Sequence, residues 1–144
     1  MNHPYAKDVG VFWQVNDKLK TNPQFKLRHT LRTSLGKAIR LQGGHKSGSI
    51  LKYIGCSIEF LKGYLESKFN NGMTWENHGK VWHIDHILPC VSFNLLTESE
   101  IFKCYHYSNL QPLLIIDNLL KGDTLPDGIS ARKILTSPPN IVSS

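Results

Sequence analysis

The sequence lacks the features that would place it in several large classes. No apolar run reaches the length of a membrane span. Cysteine is scarce and odd in number: Cys56, Cys90 and Cys104, with no Cys-x-x-Cys pair. That excludes a disulfide framework and a four-cysteine zinc knuckle, and free thiols suit a reducing compartment. The first residues, Met1-Asn2-His3-Pro4-Tyr5-Ala6-Lys7-Asp8, hold no apolar signal core. Export by that route is therefore not expected, and a cytoplasmic, intracellular setting is. No internal repeat occurs. The glycine-rich stretch Gln42-Gly43-Gly44-His45-Lys46-Ser47-Gly48-Ser49 lacks the Gly-x4-Gly-Lys-Ser/Thr spacing of a P-loop.

Acidic residues are also few at the start, and this is the first positive clue. Residues 1–68 hold 12 Lys/Arg against 4 Asp/Glu, net +8. Residues 69–144 hold 5 against 7, net −2. A basic first half suits a polyanion, and the second half is free for other work. The 144 residues, 40% of them hydrophobic, suffice for one compact domain with a modest core.

The first half reads as helical. Asn22-Pro23 is a helix start, with Asn at the N-cap and Pro at the first helical position. Leu27, Leu31, Leu35 and Ala38/Ile39 then recur every three to four residues, predicting an amphipathic helix over 24–41. Lys26, His29, Lys37 and Arg40 fall opposite that stripe, with Arg28 and Arg32 on its border. Arg28, Arg32, Lys37 and Arg40, with Lys46 and Lys52 downstream, are the candidate contacts to a nucleic-acid backbone. A short helix over 50–54 should end at Gly55. Ser57 should cap another over 58–69, with Ile58, Leu61, Leu65 and Phe69 buried.

From Met73 the period changes to two. Val81, His83 and Asp85 share one face of an expected strand, and Trp82, Ile84 and His86 the other. Pro89 stops regular pairing. A long connection follows, with a short helix from Thr97. Leu110-Gln111-Pro112-Leu113-Leu114 is the expected partner strand, and Asp117 to Lys121 a helical turn that Gly122 ends. The tail from Asp123 is expected to be draped or partly disordered.

Phosphodiester hydrolysis needs a base for water, a cation for the phosphate charge, and a frame that holds the base. His86 suits the base. Asp85 suits a hard cation, and an Asn118 carboxamide can complete the protein's share of its shell. Asn109 suits a brace behind His86, and Lys121 a phosphate contact. Neighbours on a strand point to opposite faces, so Asp85 and His86 can share a site only where the strand ends.

At these residues the sequence resembles a known family. Asp85-His86-Ile87-x-Pro89-x-x-Ser92-Phe93, then Asn109-Leu110-Gln111-Pro112-Leu113, then Asn118-x-x-Lys121, is similar to the HNH motif of ββα-metal (His-Me finger) nucleases. The element Asp-His-Ile-x-Pro and the gap from Asn109 to Asn118 resemble the HNH domain of RNA-guided CRISPR effectors. Residues 72–123 resemble small free-standing HNH endonucleases of phages, large viruses and bacteria. The resemblance implies an α+β fold: a basic, mostly helical part over 1–70, an HNH finger over 71–125 and a tail over 126–144. It implies a divalent-metal-dependent DNA endonuclease acting on double-stranded DNA. His86 would be the general base, Asn109 its orienting residue, and Asp85 and Asn118 the metal ligands. Asn118 stands where many members have His; an amide oxygen there favours Mg²⁺ or Mn²⁺. His83 and Lys121 are secondary candidates.

Two other functions compete. One is a nucleic-acid-binding protein without catalysis. The other is a structural zinc module built from His83, His86, Cys90, Cys104 and His106, of which His83 and His86 have ligand-like spacing.

Overall fold

A computed structural model of the chain describes residues 17–45 and 48–122. Lys46 and the expected tail over 126–144 lie outside the described residues, as do residues 1–16.

Asn22 and Pro23 open α1 (Pro23–Leu41). The extended Asn22 accepts a hydrogen bond from the Phe25 N–H at 3.1 Å, and Pro23 has no N–H to satisfy. Leu27, Leu31, Leu35 and Ile39 are all buried, as is Gly36. Ser49 caps α2 (Ile50–Ile54), which ends in Gly55 at φ 71°. Space as well as conformation demands glycine there, because a Cβ would lie 2.8 Å from His106 Cδ2.

Ser57 caps α3 (Ile58–Glu66), accepting from the Phe60 N–H at 3.0 Å. The helix is shorter than its apolar period. Lys68 and Phe69 donate to the carbonyls of Leu65 and Glu66, three residues back, so the chain tightens after Ser67. This turn takes Phe69 out of the stripe and onto Trp75 and Trp82, at centroid distances of 5.3 and 5.0 Å.

β1 (Trp82–His86) pairs antiparallel with β2 (Leu110–Leu114), with Trp82 opposite Leu114, Asp85 opposite Gln111 and His86 opposite Leu110. Ile87 N–H donates to Asn109 O at 2.8 Å, and Ile115 N–H to Val81 O at 2.9 Å. Ladder bonds therefore fall on odd-numbered residues of both strands, so the N–H that Pro112 lacks would have faced the outer edge. Between the strands lie a 3₁₀ turn (Cys90–Ser92), α4 (Glu98–Tyr105) and a second 3₁₀ turn (Tyr107–Asn109). The Gln42 carboxamide pins this crossover to the end of α1, donating to Phe93 O at 3.1 Å and accepting from Leu95 N–H at 2.9 Å. α5 (Ile115–Lys121) follows β2 directly and packs on both strands. The architecture is α+β: helices and a small two-stranded antiparallel sheet.

One core joins the halves. Leu27, Leu31, Leu35, Ile39, Ile54, Leu61 and Leu65 of the first meet Leu95, Ile101, Tyr105 and Leu110 of the second. Each such side chain contributes about 1.5–3 kcal/mol on burial. A satellite of Phe69, Trp75, His78 and Trp82 props β1 from below. His78 stacks on Trp82 at 4.3 Å, and Trp82 Nε1 donates to Thr74 O at 2.6 Å.

Candidate functional site

Alternation along β1 sends its side chains to two different places. Ile84 and His86 face the helical core and Trp82, on the same face, its aromatic satellite, while His83 and Asp85 face away. Asp85 is nonetheless buried, because the end of α5 covers it. Gln111, its partner across the ladder, donates from Nε2 to Asp85 Oδ2 at 2.8 Å. The Lys121 ammonium lies 3.1 Å from Oδ1 and 3.0 Å from Oδ2, and donates to His86 O at 2.7 Å. Three oxygens thus surround one positive charge. A buried carboxylate requires such a partner, and Lys121 supplies it from the last turn of α5.

Asn118 lies on α5 one turn before Lys121 and is half-buried; its backbone carbonyl accepts the Gly122 N–H at 3.0 Å. Asn109 is buried and clasps the loop after β1. Its Oδ1 accepts the Leu88 N–H at 2.9 Å, and its Nδ2 donates to Leu88 O at 3.1 Å and Cys104 O at 2.8 Å. One carboxamide therefore fixes both the loop behind His86 and the end of α4.

His86 goes the other way. It stays in register with Leu110 as the last residue of β1, so the expected end-of-strand turn towards Asp85 does not occur in this conformation. Its ring stands edge-on to Tyr105 at 4.6 Å, and its Nε2 is buried with no hydrogen-bond partner. Beside it lie Cys90 and Cys104, with sulfurs 3.5 Å apart. Tyr105 OH shares a hydrogen bond with Ser34 Oγ at 2.8 Å and lies 3.9 Å from Cys90 Sγ. The Cys104 thiol donates to Cys90, which lowers the Cys90 pKa, and the His86 ring lowers it further; the same contact raises that of Cys104.

His83 is exposed and stands away from that cluster, and His106 bonds Ser108 with its Nδ1 at 2.8 Å. The zinc set expected from the sequence is therefore not assembled as five residues; three of them meet. On α1, Arg28, Arg32, Lys37 and Arg40 are exposed. Lys26, expected on the outer face, is drawn back instead and donates to His78 O. Lys52 is exposed but pairs with Glu98.

The sequence reading missed two residues of this region. Gln111 was legible as the one polar side chain in an apolar strand, directly opposite Asp85. Tyr105 carried no such signal, since only the fold brings it to His86.

Two uncharacterized proteins of Acanthamoeba polyphaga mimivirus are similar to the chain. One is 38% identical over 120 residues, covering 83% of this chain and 52% of that protein. The other is 38% identical over 104 residues, covering 72% of this chain and 45% of that protein. The chain thus spans about half the length of these relatives. No family model and no solved structure matches it. Among the described residues, no helix is long and apolar enough to cross a membrane.

Proposed function

We propose that the chain is a divalent-metal-dependent DNA endonuclease of the HNH type, with β1, β2 and α5 as its ββα finger. The observation that carries this reading is the oxygen cradle at Asp85. A buried carboxylate and a backbone carbonyl already receive one cation, Lys121 Nζ, at 2.7–3.1 Å. Such hard oxygen donors fit Mg²⁺ or Mn²⁺. Asp85 and Asn118 would hold the ion. When bound, it would stabilise charge on the scissile phosphate and the leaving oxygen.

The chain's own residues do the rest. Gln111 orients the Asp85 carboxylate. Asn109 fixes the loop from Ile87 to Pro89, so that the base stands on a rigid strand end. His86 takes the proton of the attacking water on an imidazole nitrogen. To do so its ring must leave the Cys90–Cys104–Tyr105 pocket, so the conformation described is a resting one. Lys121 and a divalent ion compete for the same oxygens, and a displaced Lys121 is well placed to meet a phosphate. The exposed Arg28, Arg32, Lys37 and Arg40 of α1 would grip the DNA backbone without reading sequence.

The test is cleavage of supercoiled plasmid by purified protein. Nicking or linearisation with Mg²⁺ or Mn²⁺, abolished by EDTA, is the expected result. Intact plasmid in every metal, with DNA still bound, would instead favour the non-catalytic binding protein.

A further inference from the structure

The His86 pocket brings an imidazole and two thiols together. Cys104 is fully buried, Cys90 is half-buried, and a ring nitrogen of His86 and both sulfurs lie within 4.8 Å of one another. We propose that His86, Cys90 and Cys104 form a soft-metal site for Zn²⁺, separate from the oxygen cradle across β1, and that its occupancy locks His86 in the core-facing position.

Four observations carry this. Two thiols and an imidazole are the donors that select zinc over magnesium. The sulfur separation of 3.5 Å is near the edge of about 3.8 Å that two thiolates span around a tetrahedral zinc with Zn–S bonds of about 2.3 Å. The His86 Nε2 is buried without a partner, which is costly for a polar atom unless a ligand or a changed ring position satisfies it. Finally, the ligands come from the end of β1, the following turn and α4, so one ion would tie together three segments. Three protein ligands leave the fourth position to a water or another small ligand. Binding releases the thiol protons.

The regulatory consequence rests on the endonuclease reading. A His86 ring ligated in the core cannot reach the water it must deprotonate. Zinc is then an inhibitor of magnesium-dependent cleavage, acting from the opposite face of the strand that carries Asp85.

Metal binding is read without any nuclease assay. The full chain, reduced and freed of metal, is titrated with Co²⁺ and then with Zn²⁺. The expected result is a sulfur-to-cobalt charge-transfer band with intense visible bands of a tetrahedral site, displaced by one equivalent of Zn²⁺. Cys90→Ser, Cys104→Ser and His86→Ala should each lose the charge-transfer band or its tetrahedral pattern, and Asp85→Asn should keep both. Circular dichroism confirms that each variant is folded. The wild type alone is decisive: absence of a charge-transfer band and of stoichiometric zinc overturns the proposal, whatever the cleavage assay shows. A wild-type band with no zinc inhibition of cleavage, or inhibition equally strong in Cys104→Ser, overturns the locking of His86. Failure of all cleavage in every metal strikes the endonuclease reading instead, and the cobalt spectrum still decides the site.

Discussion

The two sides of β1 offer a cation opposite chemistries. Towards α5, Asp85 presents oxygen, with Gln111 beside it and Lys121 already in place as a positive charge. Towards α4, His86 meets two sulfurs and an aromatic ring. A single residue step along the strand separates them. The difference shows how one short strand can present oxygen donors on one face and sulfur and imidazole donors on the other: the alternation of side chains keeps them apart. It also sets a condition on the proposed endonuclease reaction: the ion and the base start on different faces, so His86 must cross.

The two faces of β1 should respond most differently at Asp85 and Cys104. Asp85→Ala should lower magnesium-dependent cleavage by about a hundredfold to a thousandfold, in line with losing a principal electrostatic group of a site. Cys104→Ser should leave that cleavage within a few-fold of wild type. Single-turnover rates on plasmid measure both, and equal losses would erase the distinction between the faces.

Lys121→Met probes the oxygen side through stability. It leaves a buried carboxylate without its cation and should lower stability by about 3 kcal/mol. Added Mg²⁺ should then raise the Tm of the variant more than that of the wild type, because the ion no longer competes with an ammonium. Thermal denaturation with and without Mg²⁺ checks this.

The core side answers to pH. Burial, then the charge of Lys26 and then that of His83, hold the His78 pKa down from 6.5 to about 4. The folded value lies below the unfolded one, so the unfolded chain binds more protons between pH 6.5 and 4. Stability should fall through that window as the pH drops, by about 3 kcal/mol from this group, and no further below it. His78→Phe keeps a ring stacked on Trp82 and should remove that part of the acid sensitivity. Urea midpoints of the two proteins at a series of pH values give the difference.

Asn109 belongs to neither face and braces both. Asn109→Ala strands the N–H and C=O of Leu88, and should cost about 2 kcal/mol. Cleavage should fall less than in Asp85→Ala, because the base and the metal ligands remain.

The legible parts of this fold are those whose cause is local. The Asn22 cap, the Leu27–Ile39 stripe and the Gly55 stop follow from neighbours along one helix, and each stands where the pattern placed it. The end of α3 does not, because Phe69 is claimed by two tryptophans that lie beyond the helix. The site divides the same way. The chemistry and order of Asp85, Asn109, Asn118 and Lys121, with the resemblance they carry, single out these four residues, and the fold sets them on β1, the turn before β2 and α5. Lys121 on Asp85 rather than on a phosphate reflects the demand of a buried carboxylate for the nearest cation. The pocket around His86 was legible in part: His86, Cys90 and Cys104 belong to the zinc set read from the sequence, while Tyr105 and Ser34 reach it only through the packing of α4 near α1.

The role of His86 as base is decided by comparing wild type and His86→Ala on supercoiled plasmid at saturating Mg²⁺, with DNA binding followed in parallel. A base at this position predicts cleavage by the wild type and a loss of about a hundredfold to ten-thousandfold in the variant, with binding kept. A variant that cuts at the wild-type rate means that another group takes the proton.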